Sequence, residues 1–182
     1  MLKVLAFGAS SSRQSINKQL ATFAAEQFTG YEINVLDLND FEMPLYSIDK
    51  ERENGVPAQA HTFQSLISAS DLIIISFAEH NGSYAAVFKN LMDWTSRIGQ
   101  KIWAEKPMFL LSTSPGKRGG MGVLEIAAKK AGYMGGQVIA QFSLPSFMAN
   151  FTVEEGIVAP DLATAFQEQL HIVKDYLTQA HQ

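Results

Sequence analysis

The residues best equipped for chemistry lie near the start of the chain, in the stretch GASSSRQSINKQL that follows an apolar run from Leu2 to Phe7. Ser10, Ser11, Ser12 and Ser15 supply hydroxyls there, Arg13 a positive charge and Asn17 a carboxamide. The amides in the first turn of a helix have no partner within that helix, and its dipole favours an anion beside them. A phosphate monoester suits such a set of donors. The same letters also read as an N-cap at Ser15 with solvated turn residues before it. Its place directly after a first strand tips the balance toward phosphate.

Other phosphate and nucleophile motifs fail on the same letters. A Walker A loop needs a second glycine, then Lys and Ser/Thr, where Arg13 and Gln14 stand. A dinucleotide fingerprint needs three glycines, and only Gly8 is present. The hydrolase elbow G-x-S-x-G has Ser12 in place of its last glycine. What remains is a cradle made of hydroxyls.

Two further loops carry unusual letters. In AEHNGSYAAVFKNLMDWTSRIG, Asn81-Gly82 is a strong turn signal, and Gly82 lets backbone approach a flat ligand. Ser83 is placed to cap the helix that follows, whose apolar face takes Leu91, Trp94 and Ile98. In STSPGKRGGMG, four glycines and a proline leave bare amides that could face a planar ring, with Lys117 and Arg118 turned to solvent. His80 is the one histidine in such a loop, and His61, His171 and His181 fall in helices or the tail. No pair has metal-ligand spacing, so no metal is expected.

The elements that must position these loops follow from hydrophobic period. LKVLAF, EINVLDL, DLIIISF, PMFLLST and QVIAQF read as strands. Helical spacing predicts helices over 15–28, 58–68, 85–98, 121–131 and 160–180, with an irregular segment from Asn39 to Ala60. Unbroken apolar strands alternating with helices indicate a parallel sheet covered on both faces. Five strands point to the flavodoxin-like doubly wound order 2-1-3-4-5, in which ligands bind beyond the carboxyl ends of strands 1, 3 and 4. Those are the three loops described above.

The 182 residues fit one domain spanning 1–182. A composition 47% hydrophobic and 18% charged is that of a globular protein, and a net charge of −4 without a basic stripe argues against nucleic acid. No apolar run approaches the roughly 20 residues of a membrane span, and MLKVLAFG lacks the layout of a secretory signal. The absence of cysteine excludes thiolate catalysis and disulfides, and is compatible with a cytoplasmic location. Phe41, Met43, Leu45 and Tyr46, in the irregular segment, and a helix apolar on more than one side at Phe88, Met92 and Trp94 suggest a homo-oligomer.

Taken in order, the three loops resemble the NADPH-dependent FMN reductase family, flavodoxin-like reductases of quinones, azo dyes and chromate. EHNGSYAAVFKNLMDWTSR is similar to its P-E-Y-N-G-S loop and the helix after it, MPLYSIDKERENGVP to its Pro-Leu-Tyr segment, and SPGKRGG to its glycine loop beside the flavin. The resemblance implies FMN as cofactor and NAD(P)H as co-substrate. It assigns the FMN phosphate to Ser10, Ser12, Arg13, Ser15, Ile16 and Asn17. The ring falls to Glu79, His80, Asn81, Gly82 and Ser83 on one side and Ser114, Pro115, Gly116, Gly119 and Gly120 on the other. Two letters depart from the family pattern. Ser12 stands at the family's arginine position, with Arg13 displaced by one, and Ala78-Glu79-His80 replaces Pro-Glu-Tyr.

That family passes hydride from nicotinamide to flavin and then electrons to a small-molecule acceptor, in ping-pong fashion, and it assembles as dimers or tetramers. The cofactor carries the chemistry, which explains the lack of a catalytic triad or carboxylate pair. A flavodoxin-type electron carrier without its own turnover is the alternative reading of the same fold, and a flavin-free partner-binding domain is a third. The modest net charge and Arg118 count against the carrier.

Overall fold

A computed structural model describes residues 1–180; His181 lies outside them. Strands β1 (Lys3–Ala9), β2 (Glu32–Leu36), β3 (Leu72–Phe77), β4 (Pro107–Thr113) and β5 (Gln137–Leu144) form one parallel sheet in the order β2-β1-β3-β4-β5. This is the expected flavodoxin-like order, reached without a cis peptide. The register runs through Val35, Ala6 and Ile74, and through Ile75, Leu110 and Gln141, with one irregularity between Met108 and Phe109. Every residue of β3 is buried, as the unbroken LIIISF run requires, whereas edge strand β2 alternates toward solvent.

Because side chains alternate across a strand, the sheet feeds two cores. Leu5, Phe7, Ile73, Ile75 and Leu110 face helices α3 (Ala58–Ala69), α4 (Ala86–Thr95) and α5 (Met121–Tyr133). Val4, Ala6, Ile74, Phe109 and Leu111 face α1 (Ile16–Glu26) and the last helix, α6 (Pro160–Ala180). Among the described residues no helix is long and apolar enough to cross a membrane.

The segment read as irregular holds a 3₁₀ turn over Leu38–Phe41 and a helix, α2 (Ile48–Asn54). Its signals were short but present: Ser47 accepts from the Lys50 N–H as N-cap, Asp49 and Glu51 sit in the first turn, and Gly55 ends the helix at φ 74°. Polar contacts tie the segment to α4. The Trp94 indole N–H donates to the Pro44 carbonyl at 2.7 Å, the Tyr46 N–H donates to Asn90 Oδ1 at 2.8 Å, and the Arg97 guanidinium meets Glu51. That guanidinium lowers the Glu51 carboxyl below its ordinary range.

Helix α4 starts after Ala85 with no side-chain cap, so Ser83 does not cap it. Ser83 instead lies in a two-residue ladder in which Glu79–His80 pairs with Ser83–Tyr84. Asn81 (φ 51°) and Gly82 (φ 75°) make its turn, the positive-φ pair that an Asn-Gly hairpin needs. Leu91 and Trp94 are buried as expected, but Ile98 falls beyond the end of α4 and is partly exposed.

Candidate cofactor site

A cavity of about 200 Å³ opens at the carboxyl ends of β1, β3 and β4. Ser10, Ser12, Gln14, Ser15, Ile16 and Asn17 border it from the first loop, Ala78, Glu79 and His80 from the second, and Thr113, Ser114 and Pro115 from the third. Residues up to 105 positions apart in the chain (Ser10 and Pro115) thus meet at the edge where a doubly wound sheet binds ligands.

The first loop is curled by its own hydroxyls. The Ser12 N–H donates to Ser10 Oγ at 3.1 Å, the Gln14 N–H to Ser12 Oγ at 3.3 Å and the Lys18 N–H to Ser15 Oγ at 3.1 Å. Ser15 is therefore the N-cap of α1. In each case the serine accepts, which leaves the protons of Ser10 and Ser12 for an anion. The amides of Ile16 and Asn17, in the first turn, add two more donors.

Asn17 has a different task from the one its letter suggested. It is 3% exposed; its Nδ2 donates to the Thr113 carbonyl, while its Oδ1 accepts from the Thr113 N–H and the Ser76 hydroxyl. The side chain locks α1 onto the ends of β3 and β4. Beside it, the Lys18 ammonium sits 2.6 Å from Asp37, and with the Asn39 N–H it holds that carboxyl down to about 2.

Glu79 is likewise engaged. Its carboxylate accepts from the Val123 N–H at 3.0 Å, capping the start of α5. Gly122 makes room for it, because a Cβ there would meet Glu79 Oε2 at 3.0 Å. The sequence signal was negative: Gly120-Met121-Gly122 opens a helix with no Ser, Thr or Asp to cap it. His80 is exposed beside this carboxylate, and Tyr84 pins the hairpin by packing on Phe77 and Phe88. Burial pushes the Tyr84 phenol up to about 12.

Seven of the expected residues stand back from the cavity. Asn81, Gly82 and Ser83 form the exposed hairpin tip, and Gly116 turns the third loop, its carbonyl accepting from the Gly119 and Ser146 amides. Gly119 and Gly120 are buried at positive φ. The Gly119 carbonyl accepts from the hydroxyls of Ser112 and Ser143, so these two glycines make a packed turn into α5 rather than a bare wall. Arg13 borders a neighbouring groove instead. Gln14, Ala78 and Thr113 line the cavity without having been expected; Thr113 ends a strand whose carboxyl end was already marked.

FMN fits this donor set: hydroxyl protons and first-turn amides lie at one end of the cavity, and Ser114, Pro115 and the His80 hairpin border the other. The solved structures most like this fold include the flavoenzyme NAD(P)H:(acceptor) oxidoreductase FerB of Paracoccus denitrificans, with TM-score 0.77 over 98% of both chains at 22% identity. An apo NADH:FMN oxidoreductase superposes with TM-score 0.73 over 99% of this chain and 90% of its own, at 18% identity. In sequence, a 2-hydroxy-1,4-benzoquinone reductase from a Burkholderia species is 35% identical over 65% of this chain and 63% of its own. An NADPH:quinone oxidoreductase of Arabidopsis thaliana is 31% identical over 66% of this chain and 62% of its own. The chain thus spans less than two thirds of the length of these curated relatives. The model of the NADPH-dependent FMN reductases matches residues 2–149, across all five strands of the sheet and all three loops. The chain belongs to the NADPH-dependent FMN reductase family.

Proposed function

We propose that residues 1–182 act as one cytoplasmic domain that holds FMN in this cavity and uses NAD(P)H to reduce a small-molecule acceptor: a quinone, an azo compound, a metal oxyanion or free flavin. The observation that carries the reading is the single cavity bordered by all three loops, with hydroxyls and free helix amides at one end. The quinone reductases among the relatives favour a quinone. Bound FMN would supply hydride acceptance and release, with donor and acceptor using one open face in turn. The chain's own part is electrostatic and positional. Ser10, Ser12 and the amides of Ile16 and Asn17 hold the phosphate dianion, helped by the positive end of the α1 dipole. Ser114, Pro115 and the His80 hairpin border the other end of the cavity.

Hydrogen bonds to a charged group contribute about 1.5–3 kcal/mol each. Fluorescence titration of the apo protein is therefore expected to show FMN binding at least about tenfold tighter than riboflavin. The Ser10→Ala/Ser12→Ala double variant should lose that preference and keep its riboflavin affinity. Equal affinity for both flavins in the unaltered protein would remove the phosphate role.

No proton-transferring side chain is expected in this reading, because hydride transfer to the flavin needs none and Glu79 is committed to the start of α5. In stopped-flow bleaching by NADPH, His80→Ala and Glu79→Gln should each slow flavin reduction less than about tenfold, whereas a general acid or base contributes roughly 100- to 10,000-fold. A hundredfold loss in His80→Ala with FMN still bound would make this histidine part of the chemistry.

The protein works as a homodimer or a tetramer of dimers in this reading. Phe41, Phe88, Met92 and Trp94 are buried within a single chain and so offer no surface to a partner. Exposed Leu45, Ile48 and Tyr133, and an apolar cavity of about 180 Å³ between α4 and α5, support assembly. Sedimentation at micromolar concentration should give at least twice the chain mass, and a monomer alone would count against assembly.

A further inference from the structure

Arg13 opens onto a second groove, of about 310 Å³, beside the first. Gln14 and Ser15 border both cavities, so the two adjoin at the phosphate loop. The second groove runs along α1, where Ser15, Gln19, Thr22 and Glu26 recur on one face. From Ser15 to Glu26 the helix rises about 16 Å, long enough for an extended nucleoside monophosphate.

The groove changes character along its length. Arg13 stands at the phosphate end and, among the described residues, makes no salt bridge; the Lys18 charge beside it is already spent on Asp37. Further along, half-buried Phe23 packs edge-on against Phe151 at 5.5 Å. Val153, 77% exposed at the tip of the Phe151–Thr152 hairpin, faces the same groove. Gly156 lets that hairpin close on Phe23, since a Cβ there would come 2.2 Å from the ring. Glu26 closes the far end. A cation, then the Gln19 amide and the Thr22 hydroxyl oxygen (its proton is donated to the Lys18 carbonyl), then an aromatic and aliphatic platform, then a carboxylate match the order phosphate, ribose, purine and exocyclic amine.

We infer that this groove is a subsite for an adenylate joined to the flavin phosphate, so that the chain accepts FAD as well as FMN. The inference rests on the flavin reading above. In FAD the adenylate is attached at the very phosphate that the first loop would hold, and the shared residues Gln14 and Ser15 lie on that path. A separate dinucleotide would have to reach the reacting ring from across the loop, which makes it the poorer occupant.

The test is a set of equilibrium titrations of apo protein with riboflavin, FMN and FAD, read by flavin fluorescence and calorimetry. FAD is expected to bind within about tenfold of FMN. Gln19→Trp, which fills the groove from the half-buried face of α1, should weaken FAD at least tenfold and FMN less than about threefold. Arg13→Glu should show the same selectivity, and circular dichroism would confirm that both variants are folded. FMN binding with FAD excluded by a hundredfold or more overturns the inference alone. So does an equal loss of both flavins in Arg13→Glu and Gln19→Trp, which would put Arg13 on the FMN phosphate. If no flavin binds the unaltered protein, this inference and the reading beneath it fail together.

Discussion

Asn17→Ala is expected to lower the unfolding free energy by about 3 kcal/mol or more, although the site it borders is a binding loop. The substitution removes three buried hydrogen bonds and leaves the Thr113 amide and carbonyl without partners. Each orphaned buried group costs roughly 1–3 kcal/mol. For a chain of this size that corresponds to a fall in Tm on the order of 10 °C. Asn17→Asp should be no better, because its buried carboxylate would face the Thr113 carbonyl that the Asn17 amide now satisfies. Thermal unfolding of the apo proteins measures the effect without any flavin. A loss under about 1 kcal/mol in Asn17→Ala would return this residue to the role of a simple ligand. The Ser10→Ala/Ser12→Ala variant is the contrast, since its half-buried and exposed hydroxyls should change flavin affinity and leave Tm nearly untouched.

Gly8→Ala is expected to be as damaging, for a steric reason. A Cβ at Gly8 would lie 2.3 Å from the Lys18 amide nitrogen, 2.7 Å from Lys18 Cα and 2.8 Å from the Asn17 carbonyl carbon. These are backbone atoms, so no rotamer can relieve the clash and α1 must lift from β1. Overpacking of this kind costs about 3 kcal/mol, at the upper end of its usual range. It also carries the first-turn amides out of register with Ser10 and Ser12, so FMN affinity should fall along with stability. Gly116→Ala is the control. Its Cβ would meet only the Ser114 hydroxyl at 3.8 Å, and its backbone needs no positive φ, so stability should be unchanged. Equal tolerance of alanine at both positions would contradict the close approach of α1 to β1.

The two expected results share a cause, the docking of α1 across β1, β3 and β4. That docking is where the sequence stops speaking. Local period was enough for the strands: LIIISF and PMFLLST carry unbroken apolar runs, Leu72–Ile75 and Met108–Leu111, because both faces of a parallel strand are covered. From five such runs and their helices came the strand order, and from the order came the edge where three loops must meet. Ser15 as N-cap and Asn81-Gly82 as a positive-φ turn were legible too, because each depends on backbone geometry within a few residues.

What each side chain does at that edge was not legible, because it depends on partners distant in the chain. Asn17 finds Thr113 across 96 positions, and Glu79 reaches Val123 across 44 to cap a helix that lacks its own cap. Phe41, Met43 and Tyr46 looked like an interface until the Pro44 and Asn90 contacts folded their segment onto α4. Gly119 and Gly120 looked like a wall for a planar ring until two serines from neighbouring strands drew the turn inward. Arg13 and Ser12 stand side by side in the sequence, yet the turn into α1 sends them to different cavities. Periodicity decides which face of an element is buried; only the packing of elements decides which polar atoms are spent on the fold and which are left to bind.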